Sequence, residues 1–333
     1  MQALPLVSII IVDYKENNPY LLESLKHIGE QSYKNWQVVL VTDFKTTLKF
    51  KNLITKSYNK VVGPATKRDD GAKIAKGEIL CFLDDDAHPS KDWLKNIVKE
   101  FQNEQICAVG GPGVTPPGVN WKEEASGWGS ASPVGSAGFV YRFLPQNKRY
   151  VDDYPSMNLS VRKKDFFAVG GFDSSYWPGE DTKLCLDLVH KLNKKIVYSP
   201  KVLVYHHRRP VLLPHLRQNG NFGLHRGFFA RVLPKTSLRP VYFTPPLFFL
   251  FVLFTPLFIR LSQSFISLQY LSIITYATYL LYFFLLFSNA IWVYVKSKKL
   301  FQAVLSLPII FLTHLWYGLR FLQGFLFTDK LTK

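Results

Sequence analysis

Ile79-Leu80-Cys81-Phe82-Leu83-Asp84-Asp85-Asp86 is the stretch on which the fold turns. Five apolar residues after a helix-like segment read as a central strand of an α/β sheet. The carboxylates then lie beyond the strand's carboxyl end, where open α/β sheets bind their ligands. Two like charges ~4 Å apart repel by roughly 4 kcal/mol at an effective dielectric of about 20. Three Asp side chains gathered there predict a divalent cation, and all-oxygen ligands point to Mg²⁺ or Mn²⁺ rather than zinc or copper. The plainer alternative is a solvated turn.

The flanking sequence extends the pattern. Leu6–Val12 and Trp36–Val41 are apolar runs suited to buried strands, and Val61-Val62 reads as a short third one. Asn18-Pro19 forms an N-cap and first-turn pair ahead of Leu22, Leu25 and Ile28 at helical spacing. Lys67–Lys76 predicts a helix stopped at Gly77. Ser90 precedes a stripe of Leu94, Ile97, Val98 and Phe101, and Asp181–Leu192 aligns Leu184, Leu188 and Leu192. Strands alternating with helices predict a mostly parallel, doubly wound sheet. Residues 110–138 are rich in Gly, Pro and Ser and predict a loop, the kind of segment that often serves as a mobile site cover. No internal repeat is visible.

Charge divides the chain unevenly. Residues 1–187 carry 23 Lys/Arg and 23 Asp/Glu, whereas Leu188–Phe327 has 16 Lys/Arg and no carboxylate. Nearly all of the +17 net charge therefore lies in the second part, beside very apolar segments. That placement favours an anionic membrane surface over nucleic acid. Val241–Ile259, Leu261–Val295 and Leu300–Leu319 run for 19, 35 and 20 residues without a charge. A bilayer core needs about 20 apolar residues per helix, so about three transmembrane helices are expected, near 241–259, 268–295 and 300–319.

Lys296-Ser297-Lys298-Lys299 separates the second and third spans, and positive loops stay cytoplasmic. A multi-pass protein of the plasma (inner) membrane with its N-terminal domain in the cytoplasm is expected. No basic n-region precedes Asp13, so no signal peptide is expected. Cys81, Cys107 and Cys185 read as reduced core residues. The anticipated organisation is a catalytic domain over 1–210, a basic amphipathic interfacial segment over 211–240 and an all-α membrane region over 241–328. Arg208, Arg209, Arg217, Arg226, Arg231, Lys235 and Arg239, interleaved with Leu and Phe, suit a headgroup-level segment that holds the site against the bilayer.

Six segments in order carry a resemblance. They are Val7–Tyr14, Gln31-Ser32-Tyr33-Lys34-Asn35-Trp36, Arg68–Gly71 with Ala75-Lys76-Gly77-Glu78, Phe82–Asp86, Gly170-Gly171-Phe172-Asp173 with Gly179-Glu180-Asp181, and Tyr198-Ser199-Pro200 with Val204-Tyr205-His206. Together they resemble family 2 glycosyltransferases with the GT-A fold, a Rossmann-like, mostly parallel α/β sheet, over roughly residues 5–210. The resemblance implies an inverting, metal-assisted transfer from a nucleotide-sugar, with UDP as the favoured nucleotide. The implied acceptor is a lipid-linked saccharide or polyprenyl phosphate of an envelope glycan pathway, and membrane lipids are the other partner.

By the same resemblance, Asp84 and Asp86 frame the D-x-D metal motif and Asp85 lies near the ribose. Tyr14 and Asp43 hold the base and Arg68 contacts the nucleotide; the plain alternatives are turn chemistry and an exposed helix charge. Asn158 and Arg162 fall near the sugars. Asp181 is the implied general base, with Glu180 the second candidate, although acids are favoured at any helix start. His206 is implied as a third metal ligand. Thr42 stands where the family commonly has the first acid of a D-D pair after strand two, and Phe44 where it usually has the following Gly, which bears on base recognition. No Q-x-x-R-W motif follows the catalytic Asp, so few additions rather than polymer synthesis are expected. The rival readings are a nucleotidyltransferase, which lacks its phosphate-gripping loop at residues 13–18, and a membrane scaffold with a vestigial nucleotide site.

Overall fold

The computed structural model describes residues 4–331. Two compact units emerge: one runs to Pro116 and resumes over Tyr141–His207, the other comprises Pro117–Val140 and Arg208–Lys330. In chain order the elements are β1 (Val7–Asp13), α1 (Pro19–Gly29), β2 (Trp36–Thr42), β3 (Leu53–Ser57), α2 (Pro64–Ile74), β4 (Ile79–Asp84), β5 (Ala87–Pro89), α3 (Trp93–Glu100), β6 (Ile106–Gly110) and β7 (Gly113–Val114). There follow α4 (Trp121–Ala131), β8 (Arg149–Val151), β9 (Asn158–Arg162), α5 (Lys163–Ala168), α6 (Glu180–His190), β10 (Lys195–Tyr198) and β11 (Val204–His206). The rest is helical: α7 (Leu213–Val232), α8 (Pro234–Ser237), α9 (Pro240–Ser264), α10 (Tyr270–Ser297) and α11 (Leu300–Phe327).

The first unit is built on an eight-stranded sheet of order β3-β2-β1-β4-β9-β6-β10-β8. Pairing is parallel from β3 through β4 and between β6 and β10, and antiparallel at β9 and β8. This is the mostly parallel sheet that the alternating strands and helices predict, of the GT-A type that the resemblance implies. Strand alternation sends Val7, Ile9 and Ile11, with Val38, Leu40, Cys81 and Leu83, to one face. There they pack on Leu21, Leu25 and Ile28 of α1 and on Trp93, Leu94 and Ile97 of α3. On the other face Gly71 of α2 lies so close to Ile10 that a Cβ would be 2.8 Å from its Cγ2. Phe82 stacks there with Phe166 and Phe172. With both faces covered, β1 and β2 are buried along their whole length, which explains their uninterrupted apolar sequence. The three cysteines are buried and free.

A second sheet has three strands in the order β5-β11-β7. It matters for the site because β11 runs antiparallel to β5, pairing His206 with Ala87 and Tyr205 with His88.

Three local expectations need correction. Val61-Val62 is not a strand; Val61 is exposed, and the third strand is Leu53–Ser57, in register with β2. The Asn52 amide donates to the Trp36 carbonyl at 2.9 Å and starts that ladder, whereas two β-branched residues alone offer too short a run. The helix expected at Lys67 begins earlier, with Pro64 in its first turn, and ends at Ile74. Residues 110–138 are not one loop: Asn120 accepts hydrogen bonds from the Lys122 and Glu123 amides and caps α4. Gly127 and Gly129 disguise that helix, and Gly129 is there for packing, since a Cβ would sit 2.8 Å from Ile309 of α11.

The second unit holds three helices long and apolar enough to cross a membrane: Pro240–Ser264, Ile266–Ser297 and Leu300–Phe327. Basic α7 lies along the last of them through small residues. Gly220 meets Trp316, Gly223 meets Tyr317, Gly227 meets Phe321, and Gly324 of α11 meets Leu224. Glu124 of α4 pairs with Lys299 at 2.8 Å, which attaches residues 117–140 to this unit.

Gly111 is the tightest backbone crossing in the first unit: a Cβ would lie 1.7 Å from the Val202 carbonyl oxygen. Gly111→Ala should therefore destabilise the protein by about 1–3 kcal/mol. Gly63→Ala, with nothing within 4 Å, should stay within about 0.5 kcal/mol of the parent. Thermal unfolding of both variants in detergent tests the contrast.

Candidate active site

The parallel strands deliver their carboxyl ends together. Register places Asp13 opposite Thr42, and Val12 opposite Asp84. Asp13 is buried; its Oδ1 accepts from the Lys15 amide at 3.0 Å and from Asn18 Nδ2 at 3.3 Å. Its Oδ2 is buried with no hydrogen-bond partner. Asn18 does more than cap α1, where its Oδ1 accepts from the Tyr20 amide: its Nδ2 also donates to Asp85 at 2.6 Å.

Asp84, Asp86 and His206 each present a ligand atom, and the three atoms lie within 4.8 Å of one another. His206 Nε2 is 3.0 Å from Asp86 Oδ1. The β5–β11 pairing brings the imidazole in from far along the chain, and the His207 amide donates to the Asp86 carbonyl at 3.0 Å. Burial and then the charges of Asp86, Asp84 and Asp13 push the Asp85 carboxyl up to about 8. A divalent cation would relieve that repulsion, and two carboxylates with one imidazole suit Mn²⁺, or Mg²⁺ supplemented by water and phosphate oxygens. The residues present therefore fit the metal that the D-x-D resemblance implies.

Arg68 is no exposed helix charge. It is buried on α2, its Nη2 donating to Asp84 at 3.0 Å and its Nη1 to Glu180 at 2.8 Å. The Phe172 ring lies 5.7 Å from its guanidinium carbon, and the Phe172 amide donates to Asp69 at 2.8 Å. The Gly-Gly-Phe-Asp motif thus supports Arg68. Gly170 and Gly171, at φ +92° and +76°, make the left-handed turn that swings Phe172 inward.

Asp181 opens α6. Its Oδ2 accepts from the Ser156 amide at 3.1 Å and its Oδ1 from the Thr182 amide at 2.8 Å. Burial, then Glu180 and Asp153, push its carboxyl up to about 6, against the pull of the Ser156 amide and Arg68. Glu180 Oε2 accepts from the Gly179 amide at 2.9 Å while its Oε1 holds Arg68. Asp153 accepts from Thr182 Oγ1 at 2.9 Å.

Tyr14 and Asp43 follow β1 and β2. The Tyr14 ring is 66% exposed and open to a stacking partner. Asp43 accepts from the Val62 amide at 3.0 Å and pairs with Lys67 at 2.9 Å. Thr42 donates to the Phe44 carbonyl at 2.6 Å and closes that turn.

Asn158 and Arg162 both bond to the framework. Asn158 pairs opposite Leu83, one residue before Asp84; it is fully buried, its side-chain amide bonded to Trp93 Nε1 at 2.9 Å and to the Gly111 and Val202 carbonyls at 2.7 and 2.8 Å. It secures the strands beneath the site. Arg162 pairs opposite Ile79, at the far end of β4 from Asp84, and donates to the Ile106 carbonyl at 2.8 Å. Lys67, Asp153 and Ser156 escaped sequence reasoning. Lys67 stands beside Arg68 and that adjacency was a usable signal; Asp153 and Ser156 come from a polar loop with no spacing relation to Asp181.

Comparison with known proteins agrees with this architecture. Residues 8–169 match the family model Glycosyl transferase family 2. A glucosyl-dolichyl phosphate glucuronosyltransferase of Haloferax volcanii is 20% identical over 217 residues, covering 60% of this chain and 68% of that enzyme. A pre-mycofactocin glycosyltransferase of Mycobacterium tuberculosis is 27% identical over 169 residues, 48% of this chain but only 33% of its own length. Among solved structures, mannosyltransferase PcManGT from Pyrobaculum calidifontis, in complex with GDP-Man and Mn²⁺, superposes with a TM-score of 0.58 at 17% identity, over 99% of this chain and 89% of that one. Sheet order, ordered acidic motifs and the matched segment agree: residues 8–169 carry a glycosyl transferase family 2 match, on a GT-A-like fold.

Proposed function

We propose that this protein is a membrane-anchored, inverting glycosyltransferase that moves a sugar from a UDP-sugar to a lipid-linked saccharide or polyprenyl phosphate. The observation that carries the reading is the ligand trio of Asp84, Asp86 and His206, coupled through Arg68 to Glu180 beside Asp181. A divalent cation at the trio would neutralise the diphosphate as it departs.

The protein's own groups have separable tasks. Asp84 and Asp86 with His206 would hold the cation, and Asn18 keeps Asp85 in place near the ribose. The Tyr14 ring stacks on the base, and Asp43 accepts the uracil N3–H hydrogen bond. Asp181 takes the proton from the acceptor hydroxyl as that oxygen attacks the anomeric carbon opposite the leaving group. Its raised affinity for a proton makes it a better base than an ordinary carboxylate, while at neutral pH it is still mostly ionised. Glu180, tied to Arg68, is the positioning partner.

The lipid-linked acceptor is supported by sequence continuity: only a basic stretch separates His207 from the first of the three apolar helices. The Haloferax relative is named for action on a dolichyl phosphate substrate. The proposed cytoplasmic orientation of the catalytic domain is supported by Lys296, Lys298 and Lys299 between the second and third spans.

Three outcomes test this reading. Asp181→Asn should lower kcat by ~10²–10⁴-fold while leaving UDP affinity within a few-fold; parental turnover would remove Asp181 as base. The acid limb of the parent's pH–rate profile should fall near the Asp181 value of about 6, and Asp153→Asn, which removes a repelling carboxylate, should move it to lower pH. Calorimetry should show UDP binding that requires Mn²⁺ and is lost in Asp86→Asn; metal-independent or absent binding would favour a scaffold.

A further inference from the structure

A second group of metal-type ligands lies on the opposite face of β11 from the trio. Strand alternation sends His206 toward Asp86 and its neighbours Tyr205 and His207 the other way. Tyr205 is in register with His88 of β5, and their rings stack at 5.1 Å. Helix α1 covers this face and presents Glu23 and His27, four residues apart and hence on one side of the helix. Glu23, His88 and His207 offer ligand atoms that all lie within 4.8 Å of one another.

The separations are those of ligands around a small cation. His207 Nε2 is 3.0 Å from Glu23 Oε2, and His88 Nδ1 is 3.6 Å from Glu23 Oε1. Ligands about 2.0–2.1 Å from a tetrahedral ion lie roughly 3.3 Å apart, between these two values. The His88–Glu23 approach is too long for a hydrogen bond, although His88 is only 6% exposed. Two imidazoles and a carboxylate gathered this closely form a donor set that a metal ion satisfies. His27 stacks on His88 with ring centroids 4.5 Å apart, which puts a third imidazole at the edge of the group.

We propose that Glu23, His88 and His207 form a second cation site, of Zn²⁺ type, distinct from the acidic trio. Two imidazoles and one carboxylate suit Zn²⁺ and disfavour Mg²⁺, which prefers oxygen and keeps its water. Three protein ligands leave a fourth position for water or for His27. The ion ties α1 to β5 and to the residue after His206. It thereby fixes β11, whose other face supplies His206 to the trio. Nothing in this assignment depends on the sugar, nucleotide or acceptor proposed above.

The test uses the full-length protein in detergent, stripped with chelator and titrated with Zn²⁺ by calorimetry. One Zn²⁺ equivalent should still bind to Asp86→Asn, in which the trio is disabled. Adding His88→Gln or Glu23→Gln to that background should weaken this binding at least ~100-fold, since even an outer-shell partner of a metal ligand contributes 10–100-fold. Cobalt loaded into Asp86→Asn should show the visible absorption of a low-coordinate nitrogen–oxygen site and lose it with the same changes. If Asp86→Asn alone abolishes Zn²⁺ binding, or if binding persists at full strength without Glu23 and His88, the second site does not exist. Should the buried His88→Gln fail to fold, Glu23→Gln decides, because Glu23 is a partly exposed helix residue whose loss leaves the core intact.

Discussion

One buried guanidinium holds the acidic half of the site together. Arg68 bonds Asp84, at the end of β4, and Glu180, at the start of α6, two carboxylates more than ninety residues apart in the chain. Without it, both would face each other and Asp85, Asp86 and Asp181 with no positive charge between them. Removing one partner of a buried ion pair leaves an uncompensated charge that costs about 3–5 kcal/mol. The surrounding motifs make sense as support for this residue. The Gly170-Gly171 turn brings Phe172 beneath the guanidinium, and Asp69 holds the Phe172 amide.

Lys67 does at the ends of β1 and β2 what Arg68 does between β4 and α6. It pairs with Asp43 and reaches the Asp13 carbonyl, which closes the gap between β1 and β2. Adjacent cations on α2 therefore pair with two separate sets of carboxylates. The Asp85 carboxyl, pushed up to about 8 by burial and its acidic neighbours, accepts a hydrogen bond from Asn18. The acidic cluster is only partly neutralised by the protein itself, the electrostatic condition under which a divalent ion binds most favourably.

The sheet does the positioning. Parallel β1, β2 and β4 end in register, so one edge collects Asp13, Thr42 and Asp84. Antiparallel β11 then delivers two adjacent imidazoles to opposite faces, one toward the trio and one toward Glu23. Asn158, buried beneath the edge, spends its amide on three partners and keeps β9 fixed under the cluster.

Much of this was legible in the linear chain, for identifiable reasons. The apolar run ending in Asp84-Asp85-Asp86, the Asn18-Pro19 helix start and the three charge-free segments obey local rules of period, capping and length. Those rules act over a few residues, so sequence by itself determined the α/β class, the acidic strand end and the apolar helices. Other features depended on which distant residues meet. Helix α4 hides behind Gly127 and Gly129, the second of which admits Ile309, and the strand beside β2 is Leu53–Ser57 because Asn52 starts its ladder. The burial of Arg68, the raised proton affinity of Asp181 and the Glu23–His88–His207 group arise only when strand register and helix packing bring separated polar groups into low dielectric. Tertiary structure decided these, because the strength of a charge or hydrogen bond is set by what surrounds it and not by its place in the chain.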